Sequence, residues 1–253
     1  MLLKDKVAII TGAGQGIGRS YALGFANEGA KVVIADINGE NGQNVVDKIN
    51  ADGGEALAVQ TDVSNEQKTL ELAKKAMDKF GQIDILINNA AVFAKEGLKP
   101  WNAWTSEEWD RAFAVNVKGM WLCCKAVIPF MSTQGKGKII NISSGTVLVG
   151  APLLLNYVAT KGAIVAFTRS LASELGDSNI CVNAIAPGFT MSEGASNMPG
   201  MPPGFIDMLK AGQCFKREEQ PEDLVGTAVY LASDWSDFVT GQLIVVDGGF
   251  ARH

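Results

Sequence analysis

The stretch Thr11-Gly12-Ala13-Gly14-Gln15-Gly16-Ile17-Gly18 decides the fold. It follows a short apolar, β-branched run, Val7–Thr11, and leads at once into a helical pattern, Gly16–Glu28. Glycines allow a tight turn and close backbone approach, and the helix end beyond them offers N–H donors and a positive dipole end to an anion. Outward from this loop, short strand-like runs alternate with longer helical patterns. The spacing predicts strands at Val32–Asp36, Ala56–Thr61, Ile83–Asn88, Lys138–Ile142, Cys181–Ile185 and Leu243–Val246. It predicts helices at Gly39–Asn50, Asn65–Phe80, Ser106–Met131, Tyr157–Leu175 and Pro221–Ala232. These strands are apolar without alternation, as strands covered on both faces must be. The pattern specifies one α/β domain over residues 1–253, a doubly wound parallel sheet of about seven strands with helices on both faces. One stretch, Gly188–Gly212, is rich in Gly, Pro and Met; an irregular segment of that length in a compact domain is usually functional, and we read it as a lid over a substrate.

Composition narrows the partners. The 253 residues are 47% hydrophobic and 19% charged, with a formal net charge of −5. An acidic chain lacks the excess of Lys and Arg that nucleic acid or an anionic membrane surface requires, so small molecules are the expected ligands. Lys4, Asp5 and Lys6 interrupt the N-terminal sequence before any secretory-type apolar run, which points to the cytoplasm. The uncharged stretch between Lys138 and Lys161 is long enough for a membrane span, but Asn141, Ser143, Ser144, Gly145, Gly150, Pro152 and Asn156 make it too polar and too broken for hydrocarbon. Cys123, Cys124, Cys181 and Cys214 form no Cys-x-x-Cys pair, so they read as reduced packing thiols and no metal site is expected.

Asp36 closes the second strand 18 residues beyond Gly18, where a carboxylate accepts hydrogen bonds from both hydroxyls of an adenosine ribose. A 2′-phosphate would meet like charge there, and neither the glycine loop nor the residues just after Asp36 supply an Arg or Lys to receive it. The expected cofactor is therefore NAD. The competing reading of Asp36 is a cap on the following helix. Asp62 and Val63, after the third strand, are expected beside the adenine.

Tyr157 and Lys161 lie four residues apart in a predicted helix and share one face. Ser144 follows the fifth strand, and strand ends of this kind form the ligand crevice. A free tyrosine has a pKa near 10, and bringing it to about 7 requires roughly 4 kcal/mol of preferential stabilisation of the phenolate. Lys161 and an oxidised nicotinamide ring are two positive charges suited to that, leaving Tyr157 able to take an alcohol proton as hydride departs.

With these pieces in place the chain resembles the short-chain dehydrogenase/reductase family from about Lys6 to Gly249. The matching residues are Thr11 to Gly18, Asp62-Val63, Asn88-Asn89-Ala90, Asn116, Ser144, Tyr157 with Lys161, Pro187-Gly188 with Thr190, and Asp247-Gly248-Gly249. The resemblance implies a Rossmann-type fold and a catalytic tetrad of Asn116, Ser144, Tyr157 and Lys161, with Ser144 preferred over Ser143 by its spacing of 13 residues before Tyr157. It implies that Ser144 hydrogen-bonds the substrate oxygen and that Asn116 holds a water linking Lys161 to solvent. It implies cofactor contacts from Gly12, Gln15, Gly16, Ile17, Gly18, Asp36, Ile37, Asp62, Val63, Asn89, Ala90, Tyr157, Lys161, Pro187, Gly188 and Thr190. Ala91 stands where the family usually has Gly and sets a methyl beside the cofactor. The family's usual homotetramer would form through the helices Ser106–Met131 and Tyr157–Leu175 and the last strand. His253, the single histidine, is read as a terminal residue at a subunit contact.

The lid holds Phe189, Met191, Met198, Met201, Phe205 and Met208 and no basic residue up to Leu209, which favours an uncharged, moderately hydrophobic secondary alcohol or ketone. Phe93, Trp101 and Trp104 are candidates for further aromatic wall, or equally for core or subunit contacts. The overall pattern and the terminal Asp247-Gly248-Gly249-Phe250-Ala251 resemble the branch that includes phenylethanol and pyridoxal 4-dehydrogenases. Two other readings stand beside an NAD-linked alcohol dehydrogenase: a 3-oxoacyl thioester reductase, and a non-catalytic sensor of the NAD/NADH ratio. Asp36 and the acidic balance count against the first, and the presence of both Tyr157 and Lys161 against the second.

Overall fold

The computed structural model describes residues 1–93 and 97–251. Seven strands form one parallel sheet: β1 (Val7–Thr11), β2 (Lys31–Asp36), β3 (Glu55–Gln60), β4 (Ile85–Asn88), β5 (Gly137–Ile142), β6 (Ile180–Pro187) and β7 (Leu243–Val246). Their order is β3-β2-β1-β4-β5-β6-β7. The order reverses between β1 and β4, and that switch point opens the crevice at the strand C-termini where such sheets bind ligands. In register, Ile10 stands opposite Ile87, Asn88 opposite Asn141, and Ile142 opposite Ile185. The carboxyl ends carrying Thr11, Asn88 and Ile142 therefore line one edge of the sheet.

Alternate strand residues feed opposite cores, because successive side chains leave opposite faces of the sheet. Ile10, Ile34, Ile87 and Ile142 pack with Tyr21 and Phe25 of α1 (Gly16–Asn27) and with Val45 and Ile49 of α2 (Gly39–Ala51). Ile9, Val33, Leu86 and Ile139 face the other way. They meet Leu72 and Ala76 of α3 (Glu66–Phe80), together with the long helical run 106–134 and Ala172 of the helix spanning Leu155–Leu175.

That long run departs from the single helix its sequence predicts. It consists of α4 (Ser106–Phe113), a π-helical turn at Ala114–Gly119, and α5 (Met120–Gln134). Thr105 and Glu108 close a reciprocal capping box at its start, which fixes the entry. By length and composition the run could cross a bilayer. Met120, Leu122, Cys123, Cys124, Val127 and Met131 are instead buried, so its apolar residues are used in packing against the sheet. The chain continues through α6 (Thr146–Val149), α7 (Leu155–Leu175), α8 (Glu193–Ser196), α9 (Phe205–Gly212) and α10 (Val225–Ala232). The lid segment, expected to be irregular, thus carries two short helices. Cys123, Cys124 and Cys181 are buried; Cys214 is exposed, with its thiol against the Gly249 carbonyl. His253 lies outside the described residues.

Candidate active site

Thr11 locks the switch point. Its hydroxyl donates to the Ile87 carbonyl at 3.3 Å and accepts the Asn89 and Ala90 N–H groups, each at 3.0 Å. The Asn89 amide donates to the Thr11 and Gly12 carbonyls at 2.9 and 3.1 Å. Asn89 and Ala90, expected to touch a cofactor, are here the struts that hold the glycine loop against β4. The loop has no spare room: a Cβ on Gly12 would lie 2.9 Å from Ala90 Cα, and one on Gly18 2.2 Å from the Gly12 carbonyl oxygen. Ala91, between these anchors, is exposed.

Asp36 reaches back to the same loop. Its Oδ2 accepts the Gly14 N–H at 2.8 Å and its Oδ1 the Asn38 N–H at 2.9 Å. Asn38, not Asp36, caps α2, by accepting from Glu40 and Asn41; the capping alternative for Asp36 is thereby filled by a neighbour. Ile37 is exposed and Val63 buried, whereas one oxygen of Asp62 accepts from the backbone and hydroxyl of Ser64. At the first turn of α1 the Gly16 N–H donates to the Glu193 carboxylate at 2.9 Å, so an acidic group already sits where a phosphate is expected. A glycine cradle closed to any Cβ, a carboxylate at the ribose position and an anion held at the helix end together fit a dinucleotide.

Across the crevice, Tyr157 and Ser144 converge, and the Ser144 hydroxyl acts on the Tyr157 phenol. Burial pushes the Tyr157 phenol up to about 12, and the Ser144 hydroxyl works in the opposite direction. Ser144 Oγ also accepts from the Thr146 N–H and hydroxyl at 3.2 and 3.0 Å. Ser143 instead donates to the Lys161 carbonyl at 2.9 Å, which makes it a brace for α7 and leaves Ser144 facing the crevice. Lys161 is 2% exposed; its Nζ donates to the Ile142 carbonyl at 2.7 Å and lies 5.4 Å from the Tyr157 ring centroid. Burial lowers its ammonium to about 7.

The π turn explains Asn116. A widened turn redirects one side chain without ending the helix, and such turns recur at functional sites. Asn116 Oδ1 accepts the Val92 N–H at 2.8 Å, and its Nδ2 donates to the Val92 carbonyl at 3.1 Å and to Thr160 Oγ1 at 3.0 Å. Thr160 in turn donates to the Tyr157 carbonyl at 2.7 Å. Asn116 thus fastens the segment after β4 to the helix that carries Tyr157 and Lys161. A cavity of about 10 Å³, the size of one water, is bounded by Asn116, Lys161, Asn88 and Thr11. Asn88 Oδ1 is buried with no partner of its own.

The site also uses Asn141, Thr168 and Glu219, to which the sequence pattern assigns no role. Asn88 donates to Asn141 at 2.9 Å, and Asn141 to Thr168 at 2.9 Å, a buried polar chain beneath the crevice. The polar Asn141 inside the apolar run of β5 was the available signal, since such a residue must find a partner. Glu219 is 5% exposed and underpins the turn after β6: it accepts the Thr190 hydroxyl at 2.7 Å and the Gly188 N–H at 3.2 Å. Burial raises its carboxyl to about 7. The Thr190 hydroxyl, expected on the cofactor, is turned onto Glu219. Pro187 ends β6, and its carbonyl accepts the Gly145 N–H at 2.8 Å, tying the Ser144 loop to the lid's root.

An apolar group roofs Tyr157: Phe93, Leu98, Leu154, Phe189, Met198 and Met201. Phe93 meets the Tyr157 ring edge-on at 4.9 Å, and Phe189 meets Phe205 at 5.3 Å. Trp101 is 77% exposed and Met208 59%, and neither belongs to this group. Trp104 lies under Lys99.

A sheet with its crevice at the β1/β4 switch point, a dinucleotide cradle, and a Tyr, Lys and Ser meeting beside it define a dinucleotide-dependent oxidoreductase scaffold. Residues 12–251 match the family model described as enoyl-(acyl carrier protein) reductase, and the chain belongs to the short-chain dehydrogenase/reductase family. An uncharacterized oxidoreductase of Thermotoga maritima is 39% identical over 253 residues, covering 98% of each chain. Among solved structures, a 3-ketoacyl-(acyl-carrier-protein) reductase from Brucella melitensis complexed with NADH has a TM-score of 0.89 and 36% identity, over 99% of this chain and 100% of that one. A 7α-hydroxysteroid dehydrogenase complexed with NADH and 7-oxo glycochenodeoxycholic acid has a TM-score of 0.92 and 35% identity, over 99% of this chain and 96% of that one.

Proposed function

We propose that this chain is an NAD-dependent dehydrogenase that interconverts a small, moderately hydrophobic secondary alcohol and its ketone. The observation that carries the reading is Tyr157, with Ser144 acting on its phenol and Lys161 Nζ 5.4 Å from its ring, beneath an apolar roof. The NADH bound by two similar proteins supports the cofactor. The Asp36 carboxylate at the ribose position supports NAD over its 2′-phosphorylated form.

When bound, the nicotinamide accepts or supplies the hydride. Ser144 holds the substrate oxygen, and Tyr157 takes the hydroxyl proton in oxidation or returns it in reduction. Lys161 Nζ, 5.4 Å from the Tyr157 ring, favours the phenolate whenever it carries its proton. The water-sized cavity between Lys161, Asn116 and Asn88 offers the proton a path away from the crevice.

The second reading, a 3-oxoacyl thioester reductase, is favoured by the similar Brucella structure. Against it, three basic side chains around the lid are already paired with carboxylates. Arg19 is paired with Glu193, Lys99 with Glu108, and Lys210 with Asp207, which leaves little positive surface for an acidic carrier. A panel of aryl and alkyl secondary alcohols with NAD, set against acetoacetyl thioester with NADH and NADPH, separates the two. Turnover of thioester alone would remove the alcohol reading. In the same assay Asp36→Asn is expected to raise the NADPH-to-NADH preference roughly ten- to a hundredfold, the scale of one carboxylate–phosphate repulsion; an unchanged ratio would exclude Asp36 as the selector. We place the enzyme in the cytoplasm as a homotetramer, in keeping with the half-buried edge strand β7 and the exposed Trp121 on α5; light scattering reads the assembly.

A further inference from the structure

Glu193 is the first residue of α8 in the lid, yet its carboxylate belongs geometrically to α1. One oxygen accepts the Gly16 N–H at 2.9 Å and the other pairs with the Arg19 guanidinium at 2.6 Å. Gly16 is a first-turn residue whose N–H has no partner inside its own helix. A backbone donor and a guanidinium gripping one anion from the same helix end is the donor set that also holds a phosphate. The lid seats tightly here: a Cβ on Gly16 would lie 3.2 Å from the Ser192 Cβ. Ser192 fixes the approach by accepting the Ala195 N–H, which caps α8.

A dinucleotide directed to this helix end needs the Gly16 N–H for its pyrophosphate, and a phosphate cannot share that donor with a carboxylate of like charge. We propose that Arg19 and Glu193 form an exchangeable clamp: the pyrophosphate displaces Glu193 from Gly16 and inherits Arg19 as its counter-ion. The inference rests on the NAD(H) reading above and assigns cofactor-binding roles to two residues outside the family motifs. A cavity of about 290 Å³ beside the pair, bounded by Gly14, Gln15, Arg19, Asn41, Lys48 and Glu193, gives the guanidinium and the carboxylate room to separate. The exchange links lid and cofactor through one anion site. With Glu193 seated, the lid is pinned to the glycine loop; with phosphate seated, the pin is released. Affinity for the dinucleotide is lowered by the fraction of molecules in which Glu193 holds the donor.

Calorimetric titration of the full-length wild type, Glu193→Gln, Glu193→Ala, Arg19→Ala and the Arg19→Ala/Glu193→Gln double variant with NADH, ADP and adenosine tests this without turnover. The Glu193 variants are expected to bind NADH and ADP about five- to tenfold more tightly, the scale of removing one competing charge-assisted hydrogen bond. Adenosine, which has no phosphate, is expected to bind all variants alike. Arg19→Ala is expected to weaken NADH binding more in the Glu193→Gln background than alone, because in the wild type it loosens the competitor as well as the ligand. Equal NADH affinity in wild type and Glu193→Gln, or adenosine tightening in step with ADP, overturns the clamp. A wild type that binds neither NADH nor ADP overturns the cofactor reading itself, and the clamp with it.

Discussion

Tyr157→Phe is expected to lower kcat by about 10³–10⁴, the span of a lost general acid/base together with a lost oriented proton path, while NADH affinity stays within about twofold. The substitution removes one oxygen. The ring keeps its edge-on contact with Phe93 at 4.9 Å, so the apolar roof is unchanged and a fall in rate reports the hydroxyl. The direction of the pH dependence follows from burial. With the phenol pushed up to about 12 it is protonated at neutral pH, ready to donate in ketone reduction. Alcohol oxidation needs the phenolate and should therefore accelerate with rising pH, whereas reduction should not. A Tyr157→Phe variant retaining more than about a tenth of wild-type kcat would remove Tyr157 from the chemistry.

Lys161→Met is expected to do two opposite things: reduce turnover at least about a hundredfold, and raise the melting temperature of the cofactor-free protein. The sign comes from linkage. An unfolded lysine titrates near 10.5, whereas in the fold burial brings Lys161 to about 7. Below pH 7 the ammonium is present in both states and its full burial cost opposes folding. Between about 7 and 10.5 the unfolded chain holds a proton that the folded one does not, so stability rises with pH across that window. The cost disappears above it. A shift of this size corresponds to a few kcal/mol, reduced by the Ile142 carbonyl left without its donor, at about 1–2 kcal/mol. A net gain of about 2 kcal/mol is roughly 5 °C in a domain of this size at pH 6, shrinking toward pH 10. Glu219 titrates in the opposite sense: its carboxyl, raised to about 7, contributes a cost above pH 7 that is absent below about 4.5. The difference between Lys161→Met and wild type cancels that background. A variant that melts lower than wild type at pH 6 would show that the buried ammonium is not a liability.

What the sequence made legible follows from the range of each interaction. β1 and β7 end where their apolar runs end, and the glycine loop is visible because backbone conformation and close approach restrict residue type locally. Asp36, Ser144, Tyr157 and Lys161 are placed by strand ends and by spacing along one helix face, and the fold brings them to the crevice. Glu193 is different: its bond to Gly16 joins residues 177 apart, and no period or spacing registers such a pair. Asn116 was legible as a residue but not as a geometry, because a π turn has the composition of an ordinary helix. The two lid helices were hidden for a related reason: α8 is a single turn, and α9, although Phe205, Ile206, Met208 and Leu209 recur at helical spacing, has only eight residues and follows Pro202-Pro203-Gly204.

The wide turn at Ala114–Gly119 also sets the phase of everything after it. Each α-helical residue advances the chain by about 100°, and the wide turn takes up one residue more than an α-helical turn holds, so α5 continues in the phase of a regular helix one residue shorter. A residue deleted at the start of α5 has no such reservoir: Leu122 would take the exposed place of Trp121, and Lys125 the buried place of Cys124. The surplus residue that aims Asn116 is thus absorbed by the turn, and the hydrophobic interior fixes the residue count only beyond it. Along α5 the chain tolerates exchange of side chains far more readily than a change in their number.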